Sequence, residues 1–206
     1  MATLVKTAVA VIFASCTLTA TAGSLSKANI VGQVQQFLTD GRVSSCGVSL
    51  VAIEGVNSAQ DVPRVFQGSF MLAGPGGGLM KGRAATVPAS KLLSGKFDYT
   101  MVKALKTERV WAKAQGADAT TVSPGEQIRR SDDPGYIIYV TPLKPLLSLI
   151  TAIFDDVPIQ VGTKASGDNI ESVLYGKVVM SDEDKGALAA CLGDWKSNVL
   201  ERPPTP

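Results

Sequence analysis

The sequence predicts a single α+β domain, with a mainly antiparallel sheet and helices near the N- and C-termini. The chain has 206 residues, which suits one domain, and 45% of them are apolar, which suffices for a sizeable core. Strand-like and helix-like segments do not alternate regularly, which argues against a doubly wound parallel sheet. We expect six to eight strands in a globular domain over 23–200, after a leader at 1–22 and before a disordered tail at 201–206.

The composition narrows the range of functions. The 20 Lys and Arg residues nearly balance the 18 Asp and Glu residues, so nucleic acid is not an expected partner. The chain contains no histidine, which excludes mechanisms that need a protein imidazole, including Ser-His-Asp catalysis and histidine-ligated zinc. We therefore expect neither a cofactor nor a metal ion.

Residues 1–22 have the order of features found in a bacterial export signal. Lys6 precedes a short apolar run at 7–14, and small residues follow it. This run is too short to cross a bilayer, which takes about 20 apolar residues. Ala20-Thr21-Ala22 has the A-x-A form of a cleavage site and predicts a periplasmic or secreted chain that begins at Gly23.

A second interpretation of the leader stays open. The stretch 13–16 (Phe-Ala-Ser-Cys) resembles a bacterial lipobox, although Phe13 stands where Leu, Val or Ile is usual. The resemblance implies removal of residues 1–15 and lipidation of Cys16. The protein would then be a membrane-anchored lipoprotein.

The cysteines predict one disulfide. Removal or lipidation of Cys16 leaves Cys46 and Cys191, which should pair in an oxidising compartment. A bridge between them would close most of the mature chain into one loop, worth roughly 5 kcal/mol in the chain-entropy model. Two separate buried thiols are the alternative.

The elements of the N-terminal half are predicted as follows. A helix is expected over 27–40, because apolar side chains recur at helical spacing and Gly41 follows as a C-terminal glycine. The side chains assigned to its buried face are Ile30, Val31, Val34, Phe37 and Leu38. A strand is expected over 46–53 and a loop over 57–63.

A glycine-rich turn, Gly74–Gly78, lies between two strand-like segments at 64–73 and 79–87. A phosphate-binding loop would need a helix with Lys and Ser or Thr directly after the glycines, and none follows. We therefore expect a hairpin over 64–87.

The C-terminal half is predicted to alternate short strands with helices. The expected elements are a helix over 97–106, strands over 109–115, 136–141, 159–162 and 170–180, and a helix over 143–154. Residues 119–135 are polar and rich in turn formers. The final helix has the clearest local signal, because Ser181 can cap it and acidic residues fill its first turn. Its buried face is assigned to Leu188, Cys191, Leu192 and Trp195.

Residues 143–154 form the most apolar stretch of the mature chain. A buried helix explains it. A patch that faces a membrane or a partner is the functional alternative, and together with a lipidated Cys16 it would give peripheral membrane association.

The candidate polar site consists of carboxylates. Two carboxylates can divide acid and base roles when their surroundings separate their pKa values. The candidates are Asp132, Asp133, Asp155, Asp156 and Asp168. The Asp-Asp-Pro-Gly segment at 132–135 is equally typical of a turn.

Three functional hypotheses follow. The first is an exported envelope protein that binds another protein or an envelope component without catalysis, for example an immunity-type inhibitor of a toxic enzyme. The second is an exported hydrolase that uses the carboxylates. The third is a membrane-tethered lipoprotein.

Overall fold

The computed structural model describes residues 24–94, 99–118, 120–122 and 127–200. These residues form a single sheet-rich domain. Its strands are β1 (Ser24–Thr39), β2 (Arg42–Glu54), β3 (Arg64–Gly74), β4 (Gly77–Thr86), β5 (Lys103–Ala104), β6 (Thr107–Ala114), β7 (Arg129–Arg130), β8 (Ile137–Pro142), β9 (Ile159–Ala165), β10 (Ser172–Gly176) and β11 (Val178–Val179). Its helices are α1 (Ala89–Leu93), α2 (Leu143–Phe154) and α3 (Asp182–Trp195), with a 3₁₀ turn at Tyr99–Met101 and a π-helical turn at Lys196–Leu200.

The helix expected over 27–40 is wrong, because these residues belong to strand β1. Burial alternates along the strand, with Ala28, Ile30 and Gly32 buried and the residues between them exposed. β-branched residues favour the pleated surface of a strand over a helix. Pairing with β2 along most of its length stabilises this segment as a strand. Three residues assigned to the buried helix face are more than half exposed, namely Val31, Phe37 and Leu38.

The turn between β1 and β2 accounts for this error. Asp40 and Gly41 connect the strands, and both have positive φ, 53° and 73°. Positive φ at both central residues characterises a type I′ hairpin turn, for which Asp-Gly is a preferred sequence. Gly41 therefore closes a hairpin, although a glycine at this place also suits a helix end.

The sheet is mixed but mainly antiparallel. Its order is β6-β9-β10-β1-β2-β3-β4-β8-β7, with β11 also paired to β1 and β5 to β4. The pairings of β1 with β10 and with β11 are parallel, and the others are antiparallel. The prediction of a mainly antiparallel sheet is therefore compatible with the fold, which has more strands than expected.

The sheet curls, so that β6, at one end of the strand order, comes close to β4 near the other end. The N–H of Leu105 donates to the carbonyl of Ala84 (2.9 Å), and the N–H of Ala84 donates to the hydroxyl of Thr107 (2.9 Å). The curl gives the sheet an inner face, which encloses the main core, and an outer face. Fully buried core side chains include Phe66, Phe70, Leu72, Met80, Leu146, Leu149, Ile153, Ile159 and Leu188.

Helix α3 closes the core over β1 and β2, as the sequence predicts. The hydroxyl of Ser181 accepts from the N–H of Asp184 (3.0 Å), so the predicted cap is confirmed. Leu188, Cys191 and Trp195 are buried. The predicted disulfide is also present, because Cys191 is bonded to Cys46 of β2 with 5.9 Å between their Cα atoms.

The remaining predictions divide into confirmed and wrong. The hairpin over 64–87, the strands over 46–53, 109–115 and 136–141, and helix 143–154 are confirmed as β3–β4, β2, β6, β8 and α2. In the described part of 97–106 the predicted helix is wrong, because Lys103 and Ala104 pair with the end of β4. The strand over 170–180 divides into β10 and β11. The leader at 1–22, with Cys16, and the tail at 201–206 lie outside the described residues.

Candidate functional site

A polar cleft of about 440 Å³ lies on the outer face of the sheet. The register places Ser49, Ser69 and Lys81 in one row across β2, β3 and β4. The next row consists of Val51, Gln67 and Arg83. Since side chains alternate between the two faces of a strand, these rows face away from the main core. The turn before β8 adds Asp133, Pro134 and Tyr136, and β1 adds Gln35. We call this the sheet cleft.

Arg83 is held in place by three neighbours. Its Nε donates to Oε1 of Gln67 (2.8 Å), and one terminal nitrogen donates to the carbonyl of Pro134 (3.2 Å). Its guanidinium carbon lies 4.7 Å from the centre of the Tyr136 ring. Gln67 is only 6% exposed, so its side chain is fixed as well. An Arg side chain ordered in this way can bind an anionic group without losing much further entropy.

Lys81 adds a second cation beside the same ring. Its ammonium lies 5.2 Å from the centre of Tyr136 and forms an ion pair with Asp133. The hydrogen bond and charge of Lys81 lower the pKa of Asp133 below its ordinary value. Asp133 therefore stays ionised at neutral pH. Lys81, Arg83 and Asp133 together give the sheet cleft one net positive charge, which favours an anionic ligand.

One acceptor of the sheet cleft lacks a hydrogen-bond donor among the described residues. It is Oε1 of Gln35, which is inaccessible to solvent. A buried acceptor without a donor costs about 1–3 kcal/mol. Gln35 lies on β1, four residues beyond Val31, and Val31 is in register with Arg83 of β4, so the two residues are about 20 Å apart across the sheet.

The five predicted carboxylates do not come together in one place. Asp133 lines the sheet cleft, and Asp132 beside it is exposed. Asp155 and Asp156 follow α2, and Asp168 lies between β9 and β10.

Each of two further carboxylates has its own basic partner. Asp156 pairs with Lys185 of α3 (2.9 Å), which lowers the pKa of Asp156. Asp168 pairs with Arg64 of β3 (3.3 Å). Among the residues that the structure describes, no group of three or more His, Cys, Asp or Glu side chains is placed to hold a metal ion.

The apolar stretch 143–154 forms α2, which buries one face in the core. Leu146, Leu149, Ile150 and Ile153 are buried, while Leu147 and Phe154 remain 43% and 37% exposed. A groove of about 720 Å³ runs beside the exposed face, with Lys144 near one end and Asp155 near the other. In the described part of the chain, no helix has the length and apolarity to cross a membrane.

Sequence analysis missed most residues of the sheet cleft. Gln67, Lys81 and Arg83 belong to segments that were correctly predicted as strands. Tyr136 was predicted to begin a strand and instead lies directly before β8. The available signal is the alternation of polar side chains in β3 and β4 with period two, which marks an outer face that is not fully covered. Their convergence depends on the register between strands, which the sequence does not specify.

Comparison of the chain with protein-family models, with curated proteins and with solved structures gives no match.

Proposed function

We propose that this is an exported protein of the bacterial envelope that binds a partner through the sheet cleft and does not transform it. The observation that carries the proposal is the pair of ordered cations, Lys81 and Arg83, beside Tyr136. The partner is another protein or an envelope component that presents an anionic group. An immunity-type inhibitor of a toxic enzyme is a specific form of this proposal.

The chemistry of the sheet cleft supports binding over proton transfer. An arginine does not deprotonate in proteins, and the lowered pKa of Asp133 keeps this carboxylate ionised at neutral pH. A general acid or base needs a pKa near the working pH. Fixed charges suit recognition, because they provide electrostatic complementarity without changing protonation state.

Export is supported by the leader at 1–22 and by the Cys46–Cys191 disulfide, which suits an oxidising compartment. Fractionation of expressing cells with intact-mass measurement tests this part. A soluble species that begins at Gly23 and has no labelled thiol before reduction is expected. An acylated membrane species that begins at Cys16 would indicate the lipoprotein, and an unprocessed cytoplasmic chain would contradict export.

Binding of small anions gives the first test of the sheet cleft. Phosphate and acetate serve as probes, and the ¹⁵N NMR signal of the Arg83 side-chain Nε–H is followed during titration. We expect a saturable shift of the Arg83 signal and a much smaller change at Arg109. The guanidinium of Arg109 forms an ion pair with Glu171, the residue before β10 (3.4 Å). Equal changes at the two arginines would mean unspecific screening and would count against the proposal.

Retention of a partner gives the second test. The double variant Lys81→Gln/Arg83→Gln removes two positive charges from the sheet cleft. Lys91→Gln/Lys103→Gln removes the same charge from exposed positions elsewhere and is the matched control. An envelope component that the unmodified protein and the control retain, and the cleft variant loses, is the expected result. Equal retention by both variants would remove the sheet cleft from the proposal.

A further inference from the structure

Apolar side chains continue the outer face of the sheet beside the cations of the sheet cleft. Lys81 of β4 lies opposite Ile138 of β8, and the next row on the same face pairs Leu79 with Val140. Val140 is 64% exposed, and Leu79 and Ile138 are partly exposed. We call Leu79, Ile138 and Val140 the apolar strip. It begins directly beside Lys81 and leads toward the turn between β3 and β4.

A cavity of about 520 Å³ lies at the far end of the apolar strip. Leu79 and Val140 line it together with Ala73, Pro142 and the glycines of the turn. Thr141 also borders the cavity, but its side chain is fully buried. In the described part of the chain, no charged side chain lines this space. The cavity therefore favours an apolar group.

The distance between the sheet cleft and the cavity matches the length of one acyl chain. Gly77, which borders the cavity, precedes Lys81 by four positions in β4, and at strand spacing this is about 14 Å. The hydrocarbon core of a bilayer is about 30 Å thick and contains two layers of chains, so one chain spans about 15 Å. A single chain with its charged end at Lys81 would therefore reach the cavity.

The charges of the sheet cleft favour a carboxylate as the head group. Lys81 and Arg83 carry two positive charges, and Asp133 beside Lys81 carries one negative charge. A carboxylate balances the remaining positive charge, whereas a doubly charged phosphate would bring excess negative charge next to Asp133. Among the described residues, Arg83 donates from Nε and one terminal nitrogen, which leaves its other terminal nitrogen for a carboxylate.

The backbone pairing of β4 argues against a peptide on the apolar strip. From Gly77 to Gly82, each residue of β4 pairs with β3 on one side and with β8 on the other. The N–H and carbonyl groups of this segment are therefore occupied, and a peptide lying over it would find no backbone partner there. An acyl chain carries no polar groups that need a partner. Because unpaired polar groups are costly when buried, the apolar strip favours the acyl chain.

We propose that the sheet cleft and the apolar strip together bind one free fatty acid of medium chain length. Its carboxylate contacts Lys81 and Arg83, and its chain lies over the apolar strip with the end in the cavity. The inference rests on the proposed function, because it uses the anion binding of the sheet cleft, and it names the class of envelope component that is bound. Covering the exposed side chain of Val140 adds a hydrophobic contribution that small anions cannot make.

A chain-length series on the unmodified protein gives the first test. Acetate, octanoate and dodecanoate are titrated below the concentrations at which they form micelles, and the NMR signals of the Arg83 side chain and of the Leu79 and Val140 methyl groups are followed. All three anions should shift the Arg83 signal, and only the two longer ones should shift the methyl signals. A half-buried methylene group tightens binding by about twofold, so dodecanoate should bind at least about tenfold tighter than octanoate. Dodecyltrimethylammonium, which has the same chain and the opposite charge, should bind at least about tenfold more weakly than dodecanoate.

Two double variants with matched substitutions separate the apolar strip from other apolar surface. Leu79→Thr/Val140→Thr makes the strip polar and keeps residues that favour strands. Val31→Thr/Val179→Thr makes the same kind of change at another exposed cross-strand pair, between β1 and β11. The strip variant should lose about fivefold or more in dodecanoate affinity and keep its acetate affinity. The control should keep both affinities.

The outcomes distinguish this inference from the proposed function. Acetate binding at Arg83 without tighter binding of dodecanoate would overturn the fatty acid and leave anion binding by the sheet cleft in place. Equal losses in the two double variants, or equal affinity for dodecyltrimethylammonium, would mean unspecific adsorption and would overturn the inference as well. Tighter binding of a short peptide that ends in leucine, or sedimentation with phosphatidylglycerol vesicles without a response to dodecanoate, would assign the surface to another partner. Absence of any shift at Arg83 would contradict both proposals.

Discussion

The two faces of the sheet formed by β1–β4 differ in chemistry. The inner face carries large apolar side chains that are fully buried, such as Phe66 and Phe70. Helix α2 packs against β3 and β4, and α3 packs against β1 and β2. The outer face carries the polar rows of the sheet cleft, with Lys81 and Arg83 partly exposed. Burial on the inner face stabilises the fold. On the outer face, Val65 and Ala85 are buried in a second, smaller apolar cluster, and the sheet cleft beside it is left available for recognition. Substitutions on the inner face should change stability, and those in the sheet cleft should change mainly binding and titration.

The largest effect is expected from Phe66→Ala on the inner face. The ring packs over Gly68 and Gly82, where an added Cβ would lie 2.6 Å and 3.0 Å from ring atoms. Loss of the ring leaves a cavity, so the free energy of unfolding should fall by about 3–5 kcal/mol in urea denaturation. Ser69→Ala on the outer face is the control and should change it by less than about 0.5 kcal/mol. Similar losses in the two variants would contradict the comparison.

Removal of the disulfide comes next. The double variant Cys46→Ala/Cys191→Ala releases α3 from β2, and the free energy of unfolding should fall by about 2–5 kcal/mol. Thermal unfolding of the unmodified protein with and without reductant checks the same quantity independently. Stability that is equal in all three samples would show that packing of Leu188 and Trp195 alone holds α3.

A smaller loss is expected from Tyr139→Phe, which removes a hydroxyl from the interior. This hydroxyl donates to the carbonyl of Val110 (2.9 Å) and lies 2.9 Å from the hydroxyl of Thr121. Its removal leaves buried polar groups short of a partner, so a loss of about 1–3 kcal/mol is expected in denaturant titration. Tyr136→Phe is the control on the outer face. An equal loss in the free energy of unfolding for the two variants would mean that burial of the tyrosine hydroxyl does not determine its contribution to stability.

The smallest effect on stability belongs to the ion pair of the sheet cleft. Lys81→Gln should raise the pKa of Asp133 toward its ordinary value of 3.8, which the pH dependence of its carboxyl ¹³C shift would measure. Because the folded-state pKa is lowered, the contribution of Asp133 to stability is present above its unfolded pKa. It disappears as the pH falls through the folded pKa, so the variant should matter at neutral pH and not in strong acid.

The same titration has a built-in control. Asp156 should keep its lowered pKa in the Lys81→Gln variant, because Lys185 is the partner that lowers it. A pKa of Asp133 that does not respond to loss of Lys81 would show that the ion pair is not formed in solution.

Sequence reasoning succeeded where the signal is local. Ser181 with its acidic first turn defined the start of α3, and the spacing of Leu188, Cys191 and Trp195 defined its buried face. The Cys46–Cys191 pairing followed from the cysteine count. Sequence reasoning failed for β1, because its apolar residues fit helical spacing as well as strand spacing. Asp40–Gly41, which forms the hairpin turn, was interpreted as the end of a helix.

The candidate site was predicted least well, because its residues come from distant parts of the chain. Asp133 is the one predicted carboxylate that lines the sheet cleft. Lys81 and Asp133 are 52 positions apart, and only the pairing of β4 with β8 brings them together. No local pattern in either segment indicates the other.

The sequence alone was sufficient to predict the hairpin over 64–87, helices α2 and α3, and the disulfide. It also predicts the leader at 1–22, which stays a prediction. These depend on interactions between residues near in sequence or on a count of cysteines. The strand identity of β1, the curl of the sheet and the sheet cleft were decided by tertiary structure. Strand pairing satisfies backbone groups that are far apart in the chain, and its register determines which side chains share a face.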